Sequence, residues 1–188
     1  MNARRDPEGR RRAIVRAAVE EIAEVGVGNV THRRIAARAG VPLGSTTYYF
    51  PTLDDLVSAA LREATETARA HLEAWADELT ASEDLGGTFV DLARRYLADR
   101  DQALLEYELC LAATRTPQLR PAAQLWIDGL RGICARFSGG PERGFALAAL
   151  VDGALLEALV TGDELDADGL RAGVESLVGR AVSPRTGG

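Results

Sequence analysis

The chain has 188 residues, is 46% hydrophobic and 27% charged, and carries a formal net charge of −6, the balance of an ordinary soluble globular protein. No apolar run is expected to reach the length of a membrane span, and the charged start "MNARRDPEGRRR" lacks the apolar core of a secretory signal, so a cytoplasmic location is expected. Two cysteines, Cys110 and Cys134, and two histidines, His32 and His71, are scattered without metal-ligand spacing, so neither a metal nor a cofactor is expected.

The charge is uneven. Residues 1–50 sum to +4 and residues 51–188 to −10, which describes a small basic module on an acidic body. A basic module meets polyanions, although charge alone fits a solvated face equally well. Lysine is absent from the whole chain, so arginine use by itself marks no local site.

Helical periodicity dominates, and the pattern predicts about nine helices in an all-α fold. The first covers 7–26, where Ile14, Ala17, Ala18, Ile22 and Val25 draw one apolar stripe and Gly26 and Gly28 end it. Arg4, Arg5, Arg10, Arg11 and Arg12 form a basic arm at its start. The second begins at Thr31, a hydroxyl able to cap backbone N–H groups, and ends at Gly40. Pro42 makes a tight turn, and a short third helix follows over 44–49. Further helices are expected at 53–80, 84–99, 101–115, 118 or 121–137, 141–161 and 166–182. The eighth is apolar on more than one face, as for a helix buried between its own body and a partner subunit.

Residues 31–50 thus read helix, short turn, short helix, the plan in which a second helix enters a DNA major groove. The short helix carries Ser45, Thr46, Thr47, Tyr48 and Tyr49, whose hydroxyls suit phosphate oxygens and base edges. Arg33, Arg34 and Arg38 are expected on the exposed side of the preceding helix, and Gly44 leaves room for close backbone approach.

This stretch resembles the TetR family of bacterial transcriptional regulators. The carriers are Thr31-x-x-x-Ile35-Ala36, Ala39-Gly40-Val41, Gly44-Ser45-x-x-x-Tyr49-Phe50 and Leu53-Asp54-Asp55-Leu56, over about residues 10–60. Two positions depart from the pattern: the family's usual tyrosine in the recognition helix falls at Thr47, and a lysine often found after the phenylalanine falls at Leu53. The segments "YELCLAATR" and "ALVDGALLEAL" resemble C-terminal regions of some members more weakly.

The resemblance implies a homodimer in which three-helix heads bind a palindromic, inverted-repeat DNA operator. It also implies that a small-molecule effector in the body releases the DNA. On that basis residues 1–51 are the DNA-binding domain and 52–188 the ligand-binding and dimerisation domain. Expected DNA contacts are Arg4, Arg5, Arg11, Thr31, Arg33, Arg34, Gly44, Ser45, Thr46, Thr47, Tyr48 and Tyr49. Expected pocket residues are His71, Trp75, Phe89, Tyr96, Tyr107, Glu108, Cys110, Thr114 and Trp126, with Glu108 pointing inward and Glu106 and Asp152 left open. The expected dimer interface comprises Leu150, Gly153, Ala154, Glu157, Leu170, Val174, Leu177 and Val178.

No Ser/His/Asp or Cys/His arrangement and no phosphate-cradling glycine loop is present in the sequence, so an enzyme is not expected. A helical interaction module without DNA binding, and an activator in place of a repressor, remain as alternatives.

Overall fold

The computed structural model describes residues 6–178, and among them it holds nine α-helices, two 3-10 turns and no strand. The helices are α1 (Pro7–Val25), α2 (His32–Arg38), α3 (Leu43–Tyr49), α4 (Leu53–Ala81), α5 (Leu85–Ala98), α6 (Arg100–Ala112), α7 (Arg120–Ser138), α8 (Pro141–Thr161) and α9 (Ala167–Val178). The all-α reading is met. The expected last turn of the ninth helix, 179–182, lies outside the described residues.

Local chemistry sets the helix ends. Asp6 caps α1 by accepting the Gly9 N–H at 2.7 Å, with Pro7 at the first helical position. Thr31 caps α2 through the Arg34 N–H at 3.2 Å. At α4 the capping is reciprocal. The Asp55 N–H donates to Thr52 Oγ1 at 3.1 Å, and Asp55 Oδ2 accepts the Thr52 N–H at 3.2 Å. Helix α6 stops at Ala112, short of the expected 115; tighter turns follow, with the Thr114 N–H on Leu111 O at 3.1 Å and the Arg115 N–H on Ala112 O at 3.0 Å, and Pro117 keeps Thr116 extended.

The chain forms two compact units. The first runs to Arg69 and includes Leu105–Leu125. Its core gathers Ile14, Ala18 and Ile22 of α1, Ile35 of α2, Phe50, and Leu56 and Ala60 of α4. Leu105 and Leu109 of α6 and Leu119 belong to the same cluster. The head therefore shares its core with a segment fifty residues or more away in sequence. Burying each large aliphatic side chain here contributes about 1.5–3 kcal/mol.

The second unit comprises Ala70–Leu104 and Trp126 onward. Helices α5, α8 and α9 pack on one another, burying Phe89 and Leu92 of α5, Leu147, Val151 and Leu155 of α8, and Leu170 and Val174 of α9. A Cβ on Gly144 would lie 2.5 Å from Ala135 Cα, so α8 meets α7 at a backbone approach that only glycine permits. Arg100 donates to the Leu159 carbonyl at 2.6 Å, placing a cation on the negative end of α8. Arg171 of α9 bonds Asp84, the cap of α5, at 2.9 Å.

Two expectations are corrected here. Helix α8 has 21 residues and an 18-residue window of mean hydropathy 1.7, long and apolar enough to cross a bilayer by length and composition. Its buried face is taken up by packing against α9 and α5. Leu170 and Val174, expected at a subunit interface, are 2% and 0% exposed within their own chain. Spaced i, i+4, they form the inward face of α9.

Candidate nucleic-acid interface

The turn between α2 and α3 closes through Val41 N–H to Ala36 O at 3.0 Å and Gly40 N–H to Ala37 O at 3.2 Å. Gly40 sits at φ +63°, the left-handed conformation that a side chain disfavours. This fixes where α3 leaves α2.

Helix α3 has an anchored and a presented face. Thr46 is wholly buried and its hydroxyl donates to the Leu43 carbonyl at 2.8 Å. It is therefore corrected from a DNA contact to an anchor: its position faces the same core as Phe50. Tyr49 is half-buried against that core, and Ser45 is half-buried as well. Tyr48 is 80% exposed and braced edge-on by the Tyr49 ring at 5.1 Å. Thr47 and Gly44 are exposed beside it, and a Cβ on Gly44 would meet nothing within 4 Å.

The arginines divide. Arg33 and Arg11 are exposed, and the Arg11 guanidinium sits 5.3 Å from the Phe50 ring centre. Arg4 and Arg5 lie outside the described residues. Arg34 and Arg38 turn back onto α1, where Glu21 accepts the Nε of each at 2.8 Å. Arg38 also bonds Glu24 and lies 3.7 Å from Glu20. All three arginines are exposed as expected, but the acids of α1 take the charge of Arg38, which corrects it as a free phosphate contact. Burial pushes the Glu21 carboxyl up, and hydrogen bonds from Arg34 and then Arg38 outweigh it, holding it below the ordinary glutamate value. Sequence reading missed Glu21. Its spacing of three from Ala18 and four from Ala17 places it beside the apolar stripe of α1, which was the available clue.

In the second unit the expected pocket residues His71, Trp75, Tyr96 and Trp126 come together. Tyr96 stacks on Trp126 with ring centres 5.8 Å apart, Trp75 meets both edge-on at 6.3 and 6.2 Å, and His71 meets Tyr96 at 5.8 Å. Phe89 is wholly buried. Tyr107, Glu108, Cys110 and Thr114 belong to the first unit. Glu108 and Thr114 are exposed, which corrects Glu108 as inward-pointing and Thr114 as a pocket residue. The inward side of α6 is Leu105, Leu109 and Ala112, so Glu108 falls on its outer face. Thr114 lies past the end of α6, its hydroxyl donating to Leu111 O at 2.7 Å. Tyr107 and Cys110 are half-buried, and neither Glu106 nor Asp152 is without a partner.

On α8, Gly153 and Glu157 are exposed and Leu150 and Ala154 half-buried, as are Leu177 and Val178 of α9. Three large apolar side chains absent from the expected interface stand out instead: Phe145 at 56% exposed, Leu156 at 45% and Val160 at 76%. With Ala149 and Gly153 they follow helical spacing along one face.

Comparison with known proteins agrees with this architecture. Residues 14–60 match the family described as bacterial regulatory proteins, tetR family, and residues 80–184 match the tetracyclin repressor-like C-terminal domain. The HTH-type transcriptional regulator BetI of Escherichia coli O45:K1 is 31% identical over 174 residues, covering 84% of this chain and 86% of that protein. The multidrug binding protein EbrR, solved with malachite green, is 40% identical with a TM-score of 0.70, covering 90% of this chain and 98% of that one. A TetR-family member from Streptomyces coelicolor A3 is 39% identical with a TM-score of 0.70, covering 91% and 99%. The chain belongs to the TetR family and is a DNA-binding transcriptional regulator whose helix-turn-helix is α2 and α3.

Proposed function

We propose that the chain is a homodimeric, cytoplasmic repressor. In this reading residues 1–51 grip an inverted-repeat operator, and residues 52–188 pair the subunits and take a small aromatic effector. The observation that carries the reading is Tyr48, 80% exposed on α3 while Thr46 and Phe50 hold the opposite side in the core. A phenol presented on an anchored helix reaches base edges and phosphates without reordering the head. Exposed Thr47 and Gly44 extend that face, and Arg33, Arg11 and the first turn of α2 at Thr31 supply phosphate contacts.

A second copy of the chain covers the apolar strip of Phe145, Leu156 and Val160. Two-fold pairing sets two α3 helices about 34–36 Å apart, on successive major grooves of one duplex face. The effector class is a flat aromatic molecule, supported by the Trp75, Tyr96 and Trp126 cluster and by the malachite green, proflavin and ethidium complexes of EbrR.

Fluorescence anisotropy with duplexes drawn from around the chain's own coding sequence tests the reading. Preferred binding to an inverted repeat that weakens with added salt is expected. Equal binding to every duplex would contradict it.

A further inference from the structure

We infer that Glu21 is a positioning residue for operator recognition, which makes Arg38 a clasp between α1 and α2 and aims Arg34 at a DNA phosphate. The inference rests on the DNA-binding reading of α2 and α3.

The Glu21 side chain is 6% exposed on α1, and each of its oxygens accepts one guanidinium Nε at 2.8 Å. A buried carboxylate must be paired, so both partners are fixed with it. Beyond that shared anchor the two arginines differ. Arg38 places Nε on Glu21, Nη2 on Glu24 and Nη1 3.7 Å from Glu20, and is 32% exposed. Three acids of one helix face its single charge, so it offers little attraction to a polyanion. What it does is hold α2 against α1, and α3 follows α2 through the Gly40 turn.

Arg34 gives Glu21 its Nε and stays 46% exposed. It stands in the first turn of α2, beside exposed Arg33 and the capping Thr31. A guanidinium held by Nε keeps its two terminal nitrogens in a fixed plane, a fork matched to two phosphate oxygens. Carboxylate, arginine and phosphate then form a relay in which the buried group orients the contacting one.

The test measures binding of operator and random duplexes across a salt series for the wild type, Arg34→Gln, Arg38→Gln and Glu21→Gln, each well below its melting temperature. Arg34→Gln is expected to weaken both duplexes alike and to reduce the slope of log K against log salt by about 0.9, one phosphate. Arg38→Gln is expected to keep the slope and cut the ratio of operator to random affinity by about fivefold or more, and Glu21→Gln to cut that ratio likewise. Simple loss of folded protein would lower both affinities together and leave their ratio unchanged.

A slope reduced equally by Arg38→Gln, or unchanged in Arg34→Gln, overturns the inference. So does a ratio within about twofold of wild type in both Arg38→Gln and Glu21→Gln. Should Glu21→Gln fail to fold, the two arginine variants decide alone. A wild type that binds neither duplex overturns the DNA-binding reading and this inference with it, an outcome distinct from any difference among variants.

Discussion

Tyr96 and Trp126 lie nearly parallel, with ring planes 24° apart and centres 5.8 Å apart, and Trp75 stands edge-on to both. All three rings are buried to within 8% exposure. Adding malachite green, without DNA, is expected to quench their fluorescence. Replacing Trp126 by Leu should lower that affinity about tenfold, since a stacked ring contributes about 0.5–1.5 kcal/mol beyond its area. Operator binding by the same variant should be unchanged. Unaltered dye affinity would place the effector elsewhere.

Thr46 and Tyr48 are two positions apart on α3 and should separate cleanly. Tyr48→Ala is expected to weaken operator binding about tenfold, about 1.4 kcal/mol, with the melting temperature unchanged. Thr46→Val removes a buried hydroxyl bonded to Leu43 O and should cost about 1 kcal/mol of stability. Calorimetry beside anisotropy reads both. The reverse pattern would mean that α3 presents the wrong face.

The strip on α8 gives a third prediction. Phe145→Asp combined with Val160→Glu puts charges where a partner's apolar face is expected, and sedimentation should show monomers where the wild type shows dimers. Helical content should be retained, because both side chains are exposed within the chain. A dimer that survives would move the interface away from this face.

Acid should loosen the head through Glu21. Its folded-state pKa lies below the ordinary 4.5, so its contribution is fully present above that value and is lost as pH falls through the folded one. Melting of wild type and Glu21→Gln from about pH 6 to about pH 3 is expected to show a gap that closes toward acid. A gap constant with pH would mean the carboxylate does not stay ionised by virtue of the two arginines.

Much of this was legible in the sequence, for reasons visible in particular residues. Caps and breakers mark ends, so Pro7, Thr31, Pro42, Pro51 and Pro141 place the helix starts closely. The apolar period of α1 identified Ile14, Ala18 and Ile22 as core. What stayed hidden needed side-chain direction. Nothing in "STTYY" says that Thr46 turns in while Tyr48 turns out, since α3 is seven residues long and its last five all carry hydroxyls. Glu21 gains its role only from Arg34 and Arg38, thirteen and seventeen residues later, a pairing that no local pattern in α1 announces. Likewise Leu170 and Val174 are apolar enough for an interface or for a core, and only their packing decides.

In the proposed dimer, α2 and α3 of both subunits grip an inverted repeat as a pair of heads. The most direct test of this arrangement is a titration of the purified chain onto that duplex at stepped salt, read by anisotropy with stoichiometry. Tight binding at low salt, a steep linear fall of log K with log salt, and at least two chains per operator are expected. Binding that is no tighter to the repeat than to random duplex, or saturation by one chain, would contradict it.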